Sequence, residues 1–255
     1  MTSFKEYLTE KVVLIDRRDI DFLYEPFKPL IKEISNAFAI KDFDEMQIAL
    51  KRIGYDFDKF KFTKKLHSNQ LKSEAAKAAH IINPVDIELS HRVGSNHYLP
   101  SEKIVLGFPK SAVYGLESIE TVPHNLMKSL KAEFTEIKLK TSIRHELTHW
   151  IDDSLNNLHM TNIFKQGDRK KFFEFLSAGT TDPYLGHIEI EAAVAVIDEI
   201  RIQIGNTKYF SLTWDELLDY SPNLKLLNDR LGKPWRRKIL SRMARENLLS
   251  QSLRP

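Results

Sequence analysis

The chain has 255 residues, 42% of them hydrophobic and 29% charged, with a formal net charge of +3. That length suffices for one substantial core or two small ones, and a charge so near balance excludes a nucleic-acid footprint over the whole surface. The absence of cysteine excludes disulfides, thiolate metal sites and cysteine nucleophiles, while no apolar run reaches membrane-spanning length and no basic-then-apolar start marks a secretory signal.

Residues 11–83 read as a helical N-terminal lobe. Phe27, Leu30, Ile31, Ile34 and Phe38, then Met46, Ile48, Leu50 and Ile53, recur with helical spacing, and Gly54 is a natural stop. A lysine-heavy stretch, Lys59 to Lys65, leads into an alanine-rich helix around residues 69–80, and Pro84 marks a boundary. Val85 to His91 alternates with period two, and Glu102 to Phe108 is β-rich, so a short sheet is expected there. Helix then dominates from about Pro123, interrupted by a charged turn between Lys165 and Lys171 and a loop from Gly179 to Tyr184. Residues 84–210 are the expected catalytic core and 211–255 a C-terminal helical segment. Within it, Arg230 to Arg245 holds seven basic residues and no acidic one. Trp235, Ile239, Leu240 and Met243 give this stretch an apolar face, so it reads as a basic amphipathic helix docked on the core. Its alternative use is a weak contact with DNA phosphates.

The chemistry is concentrated in His145-Glu146-Leu147-Thr148-His149. Histidines four residues apart on a helix present both imidazoles to one metal ion, and the intervening glutamate can take a proton from water beside it. Ile143, Leu147, Trp150 and Ile151 form the apolar stripe of that helix, which leaves His145, Glu146 and His149 to face a cleft. Catalytic zinc takes three protein ligands. A third histidine six residues after His149 is excluded, because Leu155 stands there and Asp152 replaces the glycine that such a motif needs. A glutamate from a second helix is the other common choice, and Ile188 to Ile197 offers one. From Ile190 to Ile197 this stretch is apolar except for Glu191, and a buried carboxylate needs a partner. Glu191 is therefore the expected ligand and Glu189 its rival. Asp152 and Asp153 either orient a histidine or are solvated.

The run from Tyr184 to Glu191, and the exit His149-Trp150-Ile151-Asp152-Asp153, resemble the catalytic domain of anthrax lethal factor and the related bacterial Pro-Pro endopeptidases. In that family a tyrosine stands seven residues before the glutamate that completes the zinc site. The resemblance covers about residues 143–153 and 184–195. It implies Zn2+ held by His145, His149 and Glu191, with Glu146 as general base and Tyr184 as a phenol donor to the oxyanion. The fold so implied is α+β and zincin-like, mostly helical, with a small mixed sheet preceding the active-site helix. The expected function is a zinc-dependent endopeptidase acting on a protein or peptide substrate. The alternative is an inactive structural or DNA-associated virion protein. Residues 1–10 resemble the capsid-targeting peptide of internal head proteins in large tailed phages, with Phe4, Glu6 and Tyr7 matching its pattern. Leu8-Thr9-Glu10 matches the site cut by a prohead protease, which implies processing after Glu10. The localisation that follows is a phage virion interior, or otherwise a bacterial cytoplasm.

Overall fold

Three helices open the computed structural model, which describes residues 15–54, 61–91, 97–108, 120, 122–125, 127, 135–165 and 183–253. Each begins where the sequence supplies a partner or a permissive residue for the first free N–H groups. Helix α1 (Arg17–Tyr24) is capped by Asp16, whose carboxylate accepts from the Arg18 N–H at 2.9 Å. Helix α2 (Lys28–Phe38) has Pro29 in its first turn, and α3 (Phe43–Arg52) is capped by Asp42. Gly54 follows α3 with a positive φ of 74°, the stop expected there. Helix α4 (Glu74–Ile82) is capped by Ser73.

The sheet has four strands, β1 (Lys61–Lys65), β2 (Asp86–His91), β3 (His97–Leu99) and β4 (Lys103–Phe108), in the order β1-β2-β4-β3. The central pair β2 and β4 is parallel, and both outer strands run antiparallel to their neighbours. Ile87, Leu89, Ile104 and Leu106 from the central pair are buried. The fold is thus α+β, mostly helical with a small mixed sheet that precedes the long helix beginning at Glu136. Within the lysine-heavy stretch assigned to a helical lobe, Lys61–Lys65 instead form the outer strand β1. Lysines suit an exposed sheet edge because they oppose pairing with another chain, so their abundance is no helix signal.

Helix α5 (Glu136–Leu155), capped by Thr135, is the axle of the structure. It packs against α1, α4, β3 and β4, then against α7 (Pro183–Ile204) and α10 (Pro222–Arg245), with the short α6 (His159–Lys165) at its exit. Helices α8 (Asn206–Tyr209) and α9 (Trp214–Leu218) connect α7 to α10, and α10 is kinked at Gly232, which has a positive φ of 61°. One apolar cluster runs from Ile15 through the sheet and α5 to Ile188; a second runs from Ala193 to Leu253. The boundaries expected at Pro84 and residue 210 therefore do not separate the cores: the first cluster spans Pro84, and the two meet along α7. Trp235, Ile239, Leu240 and Met243 are buried in the second cluster, as expected for a docked amphipathic helix. Among the described residues no helix is long and apolar enough to cross a membrane. Residues 1–10, with the capsid-targeting resemblance, and residues 166–182, with the turn expected after Lys165, lie outside the described residues; of the loop expected from Gly179 to Tyr184, Pro183 and Tyr184 instead open α7.

Two buried polar groups lock α5 in place. The Arg144 guanidinium donates to the Ile15 carbonyl at 2.8 Å and lies 3.9 Å from Asp198 and 4.0 Å from Glu199, tying the start of the described chain to α5 and α7. The Asp153 carboxylate accepts four hydrogen bonds: from the Tyr98 hydroxyl at 3.0 Å, the Met160 and Thr161 N–H groups at 2.7 and 3.2 Å, and the Thr161 hydroxyl at 2.6 Å. Tyr98 also accepts from the Asn83 amide, and the Asn83 carbonyl accepts from the Trp150 indole at 2.7 Å. Edge strand β3 is thereby fixed beside α5. Asp153→Ala leaves several buried donors unsatisfied, so it should lower unfolding stability by about 3–5 kcal/mol; urea unfolding of wild type and variant measures this, and an unchanged midpoint would show that the clamp carries no load.

Candidate metal centre

His145 and His149 stand one turn apart on α5 because their spacing of four matches the helical repeat. Their rings meet edge to face with centroids 4.6 Å apart, and both Nε2 atoms point to the same spot, 3.0 Å from each other. From α7, the Glu189 carboxylate closes the arrangement. Its Oε2 lies 3.5 Å from the His145 Nε2 and its Oε1 3.5 Å from the His149 Nε2.

The donor set fits a small divalent cation. One shared proton could join the two imidazoles, but it leaves both Glu189 oxygens facing ring nitrogens without a hydrogen bond, and Oε2 is buried with no partner. A buried carboxylate oxygen in that position calls for positive charge. Tetrahedral zinc with bonds of about 2.0–2.1 Å sets neighbouring donors about 3.3–3.4 Å apart. The two Nε2 atoms, 3.0 Å apart, and the 3.5 Å from each to the Glu189 oxygen that faces it lie near that spacing, with a different carboxylate oxygen facing each ring. Burial, and secondarily His149, holds His145 well below the usual histidine range, so its imidazole is in the neutral form that binds metals. Neither histidine Nδ1 has a hydrogen-bond partner among the described residues, which leaves that side of each ring without the orienting acceptor that metal-bound histidines usually have.

Glu146 sits beside this triangle rather than in it. One of its oxygens lies 4.0 Å from the His145 Nε2 and accepts from the Asn223 amide at 3.1 Å. The backbone N–H of Tyr98, on β3, also donates to its carboxylate. Burial, then the facing charge of Glu189, pushes Glu146 well above the usual carboxylate range, and the two hydrogen bonds only partly oppose this. His145, Glu146 and His149 offer ligand atoms within 4.8 Å of one another, so a second carboxylate is near enough to ligate. Glu189 could serve as third ligand in place of Glu146, because Glu146 has its own donors whereas a buried Glu189 oxygen has none among the described residues. All three α5 residues are buried, with 5%, 1% and 7% of their surface exposed, where an open cleft was expected.

Glu191, the expected third ligand, is elsewhere. Its carboxylate forms a two-pronged ion pair with Arg242 of α10, at 2.8 Å to Nε and 3.2 Å to Nη2. Residues two apart on a helix point about 200° from each other, so Glu189 and Glu191 cannot face the same ion. Tyr184 falls in the first turn of α7, but its side chain lies outside the described residues. The seven-residue spacing that singled it out ends on a glutamate remote from the histidines. Asp152 accepts from the Asn156 side chain at 2.8 Å and Asp153 serves the β3 clamp; the histidines' free nitrogens are paired with neither. Asn223 was not anticipated. Ser221-Pro222 marks a helix start and places Asn223 in its first turn, but nothing local carries it to a glutamate 77 residues earlier.

Comparison with family models, with curated proteins and with solved structures finds no match to this chain. The geometry alone therefore carries the functional argument.

The two glutamates give opposite expected outcomes. Glu189→Ala should weaken zinc binding by more than the roughly 10–100-fold that losing a hydrogen-bonding neighbour of a ligand costs. Glu191→Ala should bind zinc as tightly as wild type while losing stability, because Arg242 loses its partner in the ion pair. Competition against a chromophoric chelator measures the first effect, and thermal unfolding the second. The reverse pattern would return the third ligand to Glu191.

Proposed function

We propose that the chain is a zinc-dependent endopeptidase of the gluzincin type, built on a zincin-like arrangement of a short mixed sheet and an active-site helix. The observation that carries this reading is the triangle of the His145 Nε2, the His149 Nε2 and the Glu189 carboxylate, with Glu146 beside it but outside it. Those three residues would hold the ion. When bound, zinc supplies Lewis acidity toward a peptide carbonyl and toward water.

The remaining steps belong to side chains. Glu146 is the proton carrier: it takes a proton from water and delivers it to the leaving amine. Its raised proton affinity suits a group that must hold a proton between two transfers. Asn223 and the Tyr98 N–H fix its carboxylate, so the proton is exchanged at a defined place. Strand β3 lies at the edge of the sheet beside α5, and an edge strand is the element on which an extended peptide docks by backbone hydrogen bonds. In this reading Glu189 takes the place expected for Glu191, and no role is assigned to Tyr184.

Cleavage of a mixed-sequence peptide library by the zinc-loaded protein tests this directly. Activity should disappear with a chelator and return with one equivalent of zinc per chain. Glu146→Gln should keep the metal and lower kcat by roughly a hundredfold or more. Cleavage undiminished in that variant would remove the assigned mechanism.

A further inference from the structure

On the side of α7 that faces away from the histidines, α10 presents a second chemical feature. Residues 230–245 contain seven basic side chains and no acid, and the rest of the chain has more acids than bases. The net positive charge of the protein therefore resides in this one segment. Burial of Trp235, Ile239, Leu240 and Met243 turns its cations outward. Between α7 and the C-terminal half of α10 lies an open groove of about 380 Å³, lined by Ile190, Arg237, Lys238, Ser241 and Arg245, with the Glu191–Arg242 pair in its wall. Arg242 is matched by Glu191 and by Glu246 at 2.6 Å. Arg237, Lys238 and Arg245 have no carboxylate within ion-pairing distance among the described residues.

We propose that this groove binds the phosphate backbone of a nucleic acid without reading its sequence. Arg237 and Arg245 are eight residues apart on one helix, hence about 12 Å along it. A single phosphate can engage only one end of that row, whereas duplex DNA presents a charge about every 1.7 Å along its axis and fills it. A bilayer surface fits poorly, because an interfacial helix needs an apolar face next to its cations and the apolar face of α10 is buried in the core. Base reading has no platform here either, since Trp214 and Trp235 are both buried. What the groove offers is unpaired charge in a row. Three free cations predict a salt slope of roughly −2.7 and a sequence-independent Kd of roughly 10⁻⁴–10⁻⁶ M at physiological salt. Because Glu189 and Glu191 point to opposite sides of α7, this binding is independent of the metal centre.

The test is fluorescence anisotropy of a fluorescein-labelled 20-base-pair duplex with the full chain. Affinity should fall roughly fortyfold between 50 and 200 mM salt and should be the same for unrelated sequences. The combined change Arg237→Glu, Lys238→Glu and Arg245→Glu should abolish binding while leaving zinc content and the urea midpoint as in wild type. Arg237→Gln alone should reduce the salt slope by about 0.9. Wild-type binding by the triple variant would overturn the proposal. So would absence of duplex binding at 50 mM salt alongside binding to phosphatidylserine vesicles, or full displacement of the duplex by millimolar inorganic phosphate.

Discussion

Two imidazoles and two carboxylates are brought together between α5 and α7, away from bulk water, and the rest of the structure answers to that placement. Each buried ion costs several kcal/mol unless an opposite charge or good donors replace its hydration. Glu146 has its donors, the Asn223 amide and a strand N–H. Among the described residues Glu189 has no such donor, and no cationic side chain faces it. Elsewhere the protein meets the same cost with its own groups: Glu191 has Arg242, Asp153 has four donors, and Glu199 has Arg144 and the Gln203 amide. The histidine–glutamate triangle has no such counter-charge among the described residues.

The helix faces explain how the supporting parts serve that centre. Helix α7 packs on both α5 and α10, with Glu189 toward α5 and Glu191 toward α10. Its two glutamates therefore face different partners: Glu189 faces the two histidines, and Glu191 pairs with Arg242 of the C-terminal helix. Helix α10 in turn acts at both ends. Its first turn carries Asn223 to Glu146, and its last turns carry Arg242 to Glu191 and the free cations to the groove. The Asp153 network holds β3 at a fixed height beside α5, which is what places the Tyr98 N–H at the Glu146 carboxylate.

Much of this was legible in the sequence. The spacing of His145 and His149, the apolar stripe through Ile143, Leu147, Trp150 and Ile151, the strands at 86–91 and 103–108 and the docked C-terminal helix all follow from periodicity. The third ligand did not. Ala192 to Ile197 are buried all round the helix, so apolar context surrounds Glu189 and Glu191 alike and cannot say which face meets the histidines. The deciding fact is the pairing of Glu191 with Arg242, a contact between residues 51 apart in the sequence. Strand β1 was hidden for a different reason: edge strands trade β-propensity for lysine. Asn223 and Asp153 act across long sequence separations, and only the folded chain brings them to their partners.

The central claim concerns the atoms around one ion, and X-ray absorption at the zinc edge reads them directly. Protein loaded with one equivalent of zinc and dialysed should show two imidazole ligands at about 2.0–2.1 Å with the remaining positions filled by oxygen, in four-coordinate geometry. In Glu189→Ala one of those oxygens should change from carboxylate to solvent or disappear. A spectrum with one imidazole or none, or a protein that retains no zinc after dialysis, would contradict the account.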